Sequence, residues 1–346
     1  MKKLVLTTLI LVSAGYAYGQ STVKLSGSVY GGIGYNFGGG GSSYTSAAGP
    51  ASWMISGRED MGGGNATIFK LESGFNATTG AQSNANALWD KQAYIGIQGA
   101  WGTIRAGRLY TPAFSTMALV ADSTGTYSVI SGANLMETHG VRLNNGIIYN
   151  SPGFNPWDYA HNGFAFALAH YFGTDKEKAS RNATDGAYLG YGSGPVNIEF
   201  AAQRQNTWTS PTSDLNFRSY ILGTNYDFKF LKLYVSYSTQ TTRNRGMGNV
   251  KTKDNSDFLV GIKAPVGPGM LFTSFIYKRD KLNNNAYMLG AVYDYPFSKR
   301  TKLTAGIVKI FNRGKGNFYK LNNSYAGSQA GNLRSSAITL GLTHSF

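Results

Sequence analysis

The strongest constraint in this chain is a two-residue rhythm that persists to its last residue. In AITLGLTHSF (337–346), Ile338, Leu340, Leu342, His344 and Phe346 share one parity, opposite Ala337, Thr339, Gly341, Thr343 and Ser345. In TVKLSGSVYGGIGY (22–35), Val23, Leu25, Val29, Ile33 and Tyr35 alternate with Lys24, Ser26, Ser28 and Tyr30. ASWMISGR (51–58) sets Trp53 and Ile55 against Ser52, Ser56 and Arg58, and KLYVSYSTQT (232–241) repeats the theme. A period of two marks strands with one apolar and one polar face. A final strand that stops on an aromatic needs a partner for its open edge. Pairing with the first strand supplies one, with Phe346 in an aromatic girdle and Leu342, Leu340 and Ile338 toward lipid.

Turn-rich stretches separate these runs and come in two lengths. EDMGGGN (59–65), GAWG (99–102), SPGFNP (151–156), GSGP (192–195), DFKF (227–230), PVGPG (265–269) and YPFSKR (295–300) are short. They alternate with longer stretches such as 76–90, 109–140, 206–214, 242–255 and 314–332. The count is about sixteen strands, with seven short turns and eight longer loops. Even strand number, short turns at one end and apolar-out, polar-in alternation predict an all-β fold: a transmembrane antiparallel β-barrel of about 16 strands. Closure leaves no backbone edge in lipid. Composition agrees. Only 14% of residues are charged, against about 25% in soluble domains, while 45 are Gly, 23 Tyr and 19 Phe. There is no cysteine, so no disulfide framework. After the N-terminal segment no run approaches the ~18 apolar residues of a spanning helix.

MKKLVLTTLILVSAGYAYGQ opens with two lysines, an apolar run and small residues, the layout of a secretory signal peptide. Residues 1–19 are expected to be removed, leaving 20–346 as a single barrel. Without Lys2 and Lys3, 30 basic residues face 17 acidic ones, a net charge of +13.

Four stretches are more specific than the alternation: ISGREDMGGGNATIFKLESGFN (55–76), KQAYIGIQGAWGTIRAGRLYTP (91–112), YDYPFSKRTKLTAGI (293–307) and GLTHSF (341–346). Through them the chain resembles the general trimeric porins of Gram-negative outer membranes, in their β-proteobacterial and neisserial branch. The resemblance implies a passive diffusion channel for small hydrophilic solutes and ions. It implies a homotrimer in outer-membrane lipid, with the loop at 76–90 latching onto a neighbour. It also implies that the barrel-assembly machinery reads the strand ending in Phe346. The family's third loop folds into the lumen, and LYTPAFSTMALVADSTGTYSVISGANLMETHG (109–140) is in the matching place. A long loop in a compact fold tends to be functional. Family porins oppose basic wall residues to acids on that loop. Arg142 and Lys91 match two wall arginines, while two other basic positions are Ser28 and Ser52 here. Arg58 and Arg108 are expected as companions, facing Asp122 and Glu137 on the loop. Charged rings in a narrow pore set selectivity, and this imbalance predicts an anion preference. Lys70 and Glu72 share an inward face and are expected to pair.

Other function classes are weaker. A barrel enzyme needs a nucleophile, a base and an orienting group together, yet His139, His161, His170 and His344 sit in no nucleophile or zinc motif. No catalytic residue, metal or cofactor is implied, and GGGG (38–41) is a loop run rather than a phosphate cradle. An exported β-meander is a poor match to nucleic-acid binding despite its charge. A channel selective for particular organic or inorganic anions is the nearest rival. A plugged structural barrel is separated by whether it conducts.

Overall fold

The computed structural model describes residues 21–37, 42–46, 51–126, 128–138, 140–153, 163–175, 178, 180–314, 319–321 and 335–346. The expected signal segment, GGGG (38–41), His139 and His161 lie outside these described residues. Sixteen long strands make the wall: β1 (Thr22–Asn36), β3 (Ser52–Gly62), β4 (Asn65–Gly74), β5 (Gln92–Gly99), β6 (Gly102–Tyr110), β7 (Arg142–Asn150), β8 (Gly163–Tyr171), β9 (Thr184–Ser193), β10 (Val196–Ser210), β11 (Ser213–Asp227), β12 (Lys232–Asn244), β13 (Val250–Val266), β14 (Gly269–Asp280), β15 (Asn284–Pro296), β16 (Thr301–Gly314) and β17 (Ser336–Ser345). A short β2 (Ser42–Ser46) pairs with the Gly32–Asn36 end of β1, continuing the place that β3 occupies lower down. Every long strand pairs antiparallel with its chain neighbour, and β1 closes on β17 from Ser28↔Ser345 to Asn36↔Ala337.

Closure answers the question of the aromatic terminus. The Phe346 N–H donates to the Gly27 carbonyl at 3.0 Å, and Gly27 N–H returns a bond to the Phe346 carbonyl at 3.1 Å. A Cβ on Gly27 would lie 2.7 Å from the Phe346 ring, so the missing side chain is the space the ring occupies. The terminal residue is thus tied into the ladder rather than left to fray.

Alternation sorts residues as expected over much of the wall. Val23, Leu25, Ile33, Ile95, Leu168, Leu222, Leu289, Ile338, Leu340 and Leu342 are exposed on the outside, while Tyr30, Ser56, Lys70 and Glu72 are buried on the inside. Two features depart from expectation. First, the stretches 206–214 and 242–255 are not long loops. β10 and β11 run on to a turn at Pro211–Thr212, and β12 and β13 are linked only through residues 245–249. Their polar residues keep the ladder hydrogen bonds, so strand continues where hydrophobic periodicity has faded. Of the expected short turn at 151–156, only residues 151–153, directly after β7, fall among the described residues. Second, β13–β16 are apolar on both faces. Leu259, Ile276, Met288, Val292, Val308 and Ile310 point inward and are fully buried. Something inside the barrel covers them.

Candidate pore constriction

The covering element is the segment between β6 and β7. Its root is closed by Thr111, whose N–H donates to Val141 O at 3.2 Å and whose hydroxyl donates to Gly140 O at 2.8 Å. Thr111 also caps a short helix, Pro112–Thr116, with proline in its first turn. A π-helical turn (Met117–Ala121) and a 3-10 turn (Gly132–Asn134) follow. The loop then walks along the inner wall in chain order, over a track of inward glycines. Pro112 meets Gly186 on β9, Ala121 meets Gly223 on β11, Ser123 meets Gly261 on β13, and Val129 and Ile130 meet Gly306 and Gly290 on β16 and β15. A Cβ on Gly290 would come within 2.4 Å of Ile130 Cγ2, and one on Gly223 within 3.0 Å of Ala121 Cβ. Any side chain at these places would lift the loop off the wall. Met117, Ile130, Leu135 and Met136, all buried, join one apolar cluster with Leu259, Ile276, Met288, Val292, Val308 and Ile310 of β13–β16.

Polar bonds pin the same path. Thr116 donates to Glu199 of β10, Asn225 Nδ2 of β11 donates to Val120 O at 3.1 Å, and Ser123 Oγ donates to Thr273 O of β14 at 3.1 Å. Gln203 Nε2 donates to Thr138 O at 3.0 Å. The loop carboxylates are taken up in this seating. Asp122 is 2% exposed and turned into its own loop, accepting from Gly132 N at 2.7 Å, Thr124 N and Oγ1 at 2.9 Å each, and Ser131 Oγ at 3.2 Å. Burial, the larger influence, pushes its carboxyl above the usual carboxylate range against the pull of those donors. Glu137 makes an ion pair with Lys253 of β13.

The opposite wall, on β1 and β3–β6, carries basic residues. Lys91, Arg108 and Arg142 gather where the loop leaves the wall. Lys91 is 8% exposed, with Nζ 4.0 Å from Glu72 Oε1, and Lys70 Nζ lies 3.1 Å from Glu72 Oε2, the pairing expected for Lys70 and Glu72. Gln92 Nε2 donates to the same carboxylate at 3.1 Å. Strict parity groups Lys91 with the lipid-facing Ile95 and Ile97. It precedes β5, which begins at Gln92, so the ladder does not dictate its direction and it turns inward. Arg108 shares outward parity with Ile104 and is rescued differently. The β6–β7 register shifts between Gly107 and Leu109, with Gly107 at φ 137 and Asn145 at φ 55. Such bulges re-aim a side chain. Arg108 Nε then reaches Asp90 O, and Nη1 reaches Asn144 Oδ1, both at 2.6 Å. The Arg142 guanidinium sits 5.2 Å from the Tyr110 ring centroid, a cation–π distance.

Arg58 stands apart from these three. β3 runs toward the short-turn end, so Arg58 pairs across to Thr22 and Ile68 beside the Gly62–Asn65 turn and bonds Gln98 Oε1 at 3.2 Å. Arg105 escaped the sequence reading. It is buried on the inner face, donates to Asn150 Oδ1 at 2.9 Å and lies over Tyr94. Its parity with Thr103 was the available signal. Lys24, on the rung Lys24↔Ser56↔Lys70, is another inward cation.

A lumen crossed by an inward loop, with cations gathered on the facing wall, is channel architecture, and a family profile described as Gram-negative porin matches residues 6–315. The chain belongs to the Gram-negative porin family. Among curated relatives, this porin is 27% identical to an outer membrane porin protein of Bordetella pertussis, over 88% of this chain and 93% of that one. It is 26% identical to outer membrane porin protein 32 of Delftia acidovorans, over 100% of both. Among solved structures it superposes on an anion-selective porin from Comamonas acidovorans with TM-score 0.78 and 22% identity, covering 94% of this chain and 100% of that one. It also superposes on the trimer form of OmpT, an outer membrane protein of Vibrio cholerae, with TM-score 0.69 and 13% identity, covering 94% and 99%. This porin is therefore a passive channel of the Gram-negative outer membrane.

Proposed function

We propose that this porin conducts small hydrophilic solutes with a preference for anions, selected by Lys91, Arg108 and Arg142 on the bare wall. The observation that carries the reading is where the charges lie. Asp122 is turned into its own loop and Glu137 pairs with Lys253, while the cations Lys91, Arg108 and Arg142 lie together on the facing wall, beside Glu72 and Asp90. Cations in a narrow, low-dielectric passage focus the field on passing anions. The anion-selective porin from Comamonas acidovorans supports the same direction. Arg58, at the short-turn mouth, belongs to the entrance rather than the selecting group. The same reading holds the chain to be a channel without catalysis. His170 bonds Asp185 at 2.8 Å on the outer wall, and His344 bonds Thr301 at 2.9 Å. Residues 1–19 are read as a cleaved export signal and the assembly as a homotrimer, which the trimer form of OmpT supports. The barrel-assembly machinery is read as recognising the strand that ends in Phe346.

Reversal-potential measurement across a potassium chloride gradient tests the selectivity. A potential of the anionic sign at low salt, shrinking as salt rises, is expected. A pore that prefers potassium would overturn the assignment. Solute-saturable flux would instead favour a substrate-selective channel.

A further inference from the structure

The wall that seats the loop changes character toward the short turns. On β12 the inward residues Tyr234, Ser236, Ser238 and Gln240 are buried, and the same parity brings Lys232 inward at the strand's start. On β13, Leu259 and Gly261 face inward, Gly261 against Ser123 of the loop, and the next inward residue is Lys263. Lys232 and Lys263 are directly opposed across the β12–β13 ladder. Like charges so placed repel and destabilise a sheet. Two carboxylates share this end of β11–β16, and both have other partners. Asp227 stands opposite Lys232 across the β11–β12 ladder and accepts from the Lys229 N–H at 2.7 Å. It acts on Lys232 through space, without an ion-pair contact. Asp294 of β15 pairs with Lys302 at 2.5 Å and accepts from Thr304 Oγ1 at 2.6 Å. The two ammonium groups lie over rings instead. Lys232 Nζ is 5.5 Å from the Tyr234 centroid, and Lys263 Nζ is 5.7 Å from that of Phe272. These are cation–π distances. Both lysines are half-buried, so part of each still faces the lumen.

The geometry points to a second anion station in this porin: Lys232 and Lys263 together hold a small doubly charged oxyanion, such as sulfate, in the lumen on the short-turn side of the loop. The station deepens the anion reading above and rests on it. Two ammonium groups on adjacent strands meet both charges of a dianion, whereas a halide gains from one charge only. The rings beneath them keep water from one side, and a lower local dielectric strengthens each Coulomb contact. Lysine suits transit. Its ammonium is a point charge on a flexible stem rather than a fork matched to one geometry. A conducting site must also release what it binds. On β13 the pair follows the Ser123 seat toward the short turns. An anion arriving from the long-loop side therefore meets Lys91, Arg108 and Arg142 first, and this pair second.

Single-channel chloride current in planar bilayers tests it, with potassium sulfate introduced at constant ionic strength. The wild-type current is expected to fall saturably with sulfate, by more than the chloride replaced. The half-blocking concentration is expected to rise about tenfold in Lys232→Gln/Lys263→Gln. It should hold in Lys299→Gln/Arg300→Gln, which removes the same charge from the exposed turn before β16. Lys232→Arg/Lys263→Arg, which keeps the charge, should keep the block. A wild-type current that falls only in proportion to the chloride replaced overturns the station without recourse to any variant. So does a block that survives in Lys232→Gln/Lys263→Gln, or an equal rise in the turn variant, which would make the effect one of surface charge. Reversal potential in potassium chloride separates the two readings. An anionic sign without sulfate block overturns the station alone, and a potassium preference overturns both.

Discussion

Two stretches of inner wall do opposite jobs with opposite chemistry. The covered wall, β9–β16, is a glycine track set in an apolar face, where Lys253 pairs with Glu137 and Lys278 with Asp257, the latter at 2.8 Å. The bare wall, β1 and β3–β6, is polar and basic, with Lys24, Lys70, Arg105 and Lys91 pointing inward. The difference teaches that the seat of the loop and the basic cluster are separate features. One side of the lumen seats the loop by shape, and the other carries the charges to which the proposed selectivity is assigned.

The largest effect is expected where shape decides. Gly290→Ala sets a Cβ 2.4 Å from Ile130 Cγ2 and 2.9 Å from Ile307 O. Overpacking of this kind costs about 1–3 kcal/mol, and relief comes by lifting the loop. A lower thermal midpoint and a higher single-channel conductance are expected together. Gly31→Ala on the outward face of β1 meets nothing within 4 Å, so both readings should stay at wild type there. Equal behaviour of the two variants would erase the distinction between the walls.

Next comes charge on the bare wall. Arg142→Glu should drive the reversal potential toward cations, most strongly near 0.1 M salt, where screening acts over about 10 Å, and least near 1 M, where it acts over about 3 Å. Neutralising a matched cation on the covered wall, Lys253→Gln, should move it in the same direction but less, because it releases only the Glu137 carboxylate. A larger shift from Lys253→Gln than from Arg142→Glu would place the selecting charges on the wrong wall. Lys251→Glu, beside Asp254 on the outer face of β13, is the control expected to do least.

The smallest effect concerns pH. Because burial holds the Asp122 carboxyl above its ordinary value of 3.8, the native state binds the proton more tightly than the unfolded chain does. Its contribution to loop seating is complete below that ordinary value and declines as pH rises through the raised native one. Thermal midpoints of the wild-type chain measured against pH should carry this slope, and Asp122→Asn should lack it. A slope that survives the substitution belongs to another group.

Much of the barrel was legible in the sequence because lipid and lumen impose a two-residue period that needs no tertiary knowledge. Val23 to Tyr35 and Ile338 to Leu342 declared their faces, and Lys70–Glu72 declared a pair. The period failed where another solvent intervened. In KLTAGIVKI (302–310), Ile307 meets lipid while Val308 and Ile310 meet the loop, so both parities are apolar and alternation vanishes. Read differently, that loss was itself the trace of a covered wall. Parity alone would turn Arg108 and Lys91 toward lipid, and local features override it, a bulge for one and a position just outside its strand for the other. Arg58 has the right parity and the wrong height, since parity reports direction and says nothing about position along the barrel.

The sequence by itself determined that this chain closes into a barrel and which end carries its short turns. These follow from periodicity and composition, properties of neighbours along the chain. Only the tertiary structure decided which cations meet, because Lys91, Arg108 and Arg142 are brought together by register, a bulge and the departure of one loop. It alone showed that Asp122 is hidden, since hydrogen bonding from Gly132 and Ser131 depends on how the loop folds back on itself. Selectivity depends on distances between charges from distant parts of the chain, and no local pattern encodes a distance.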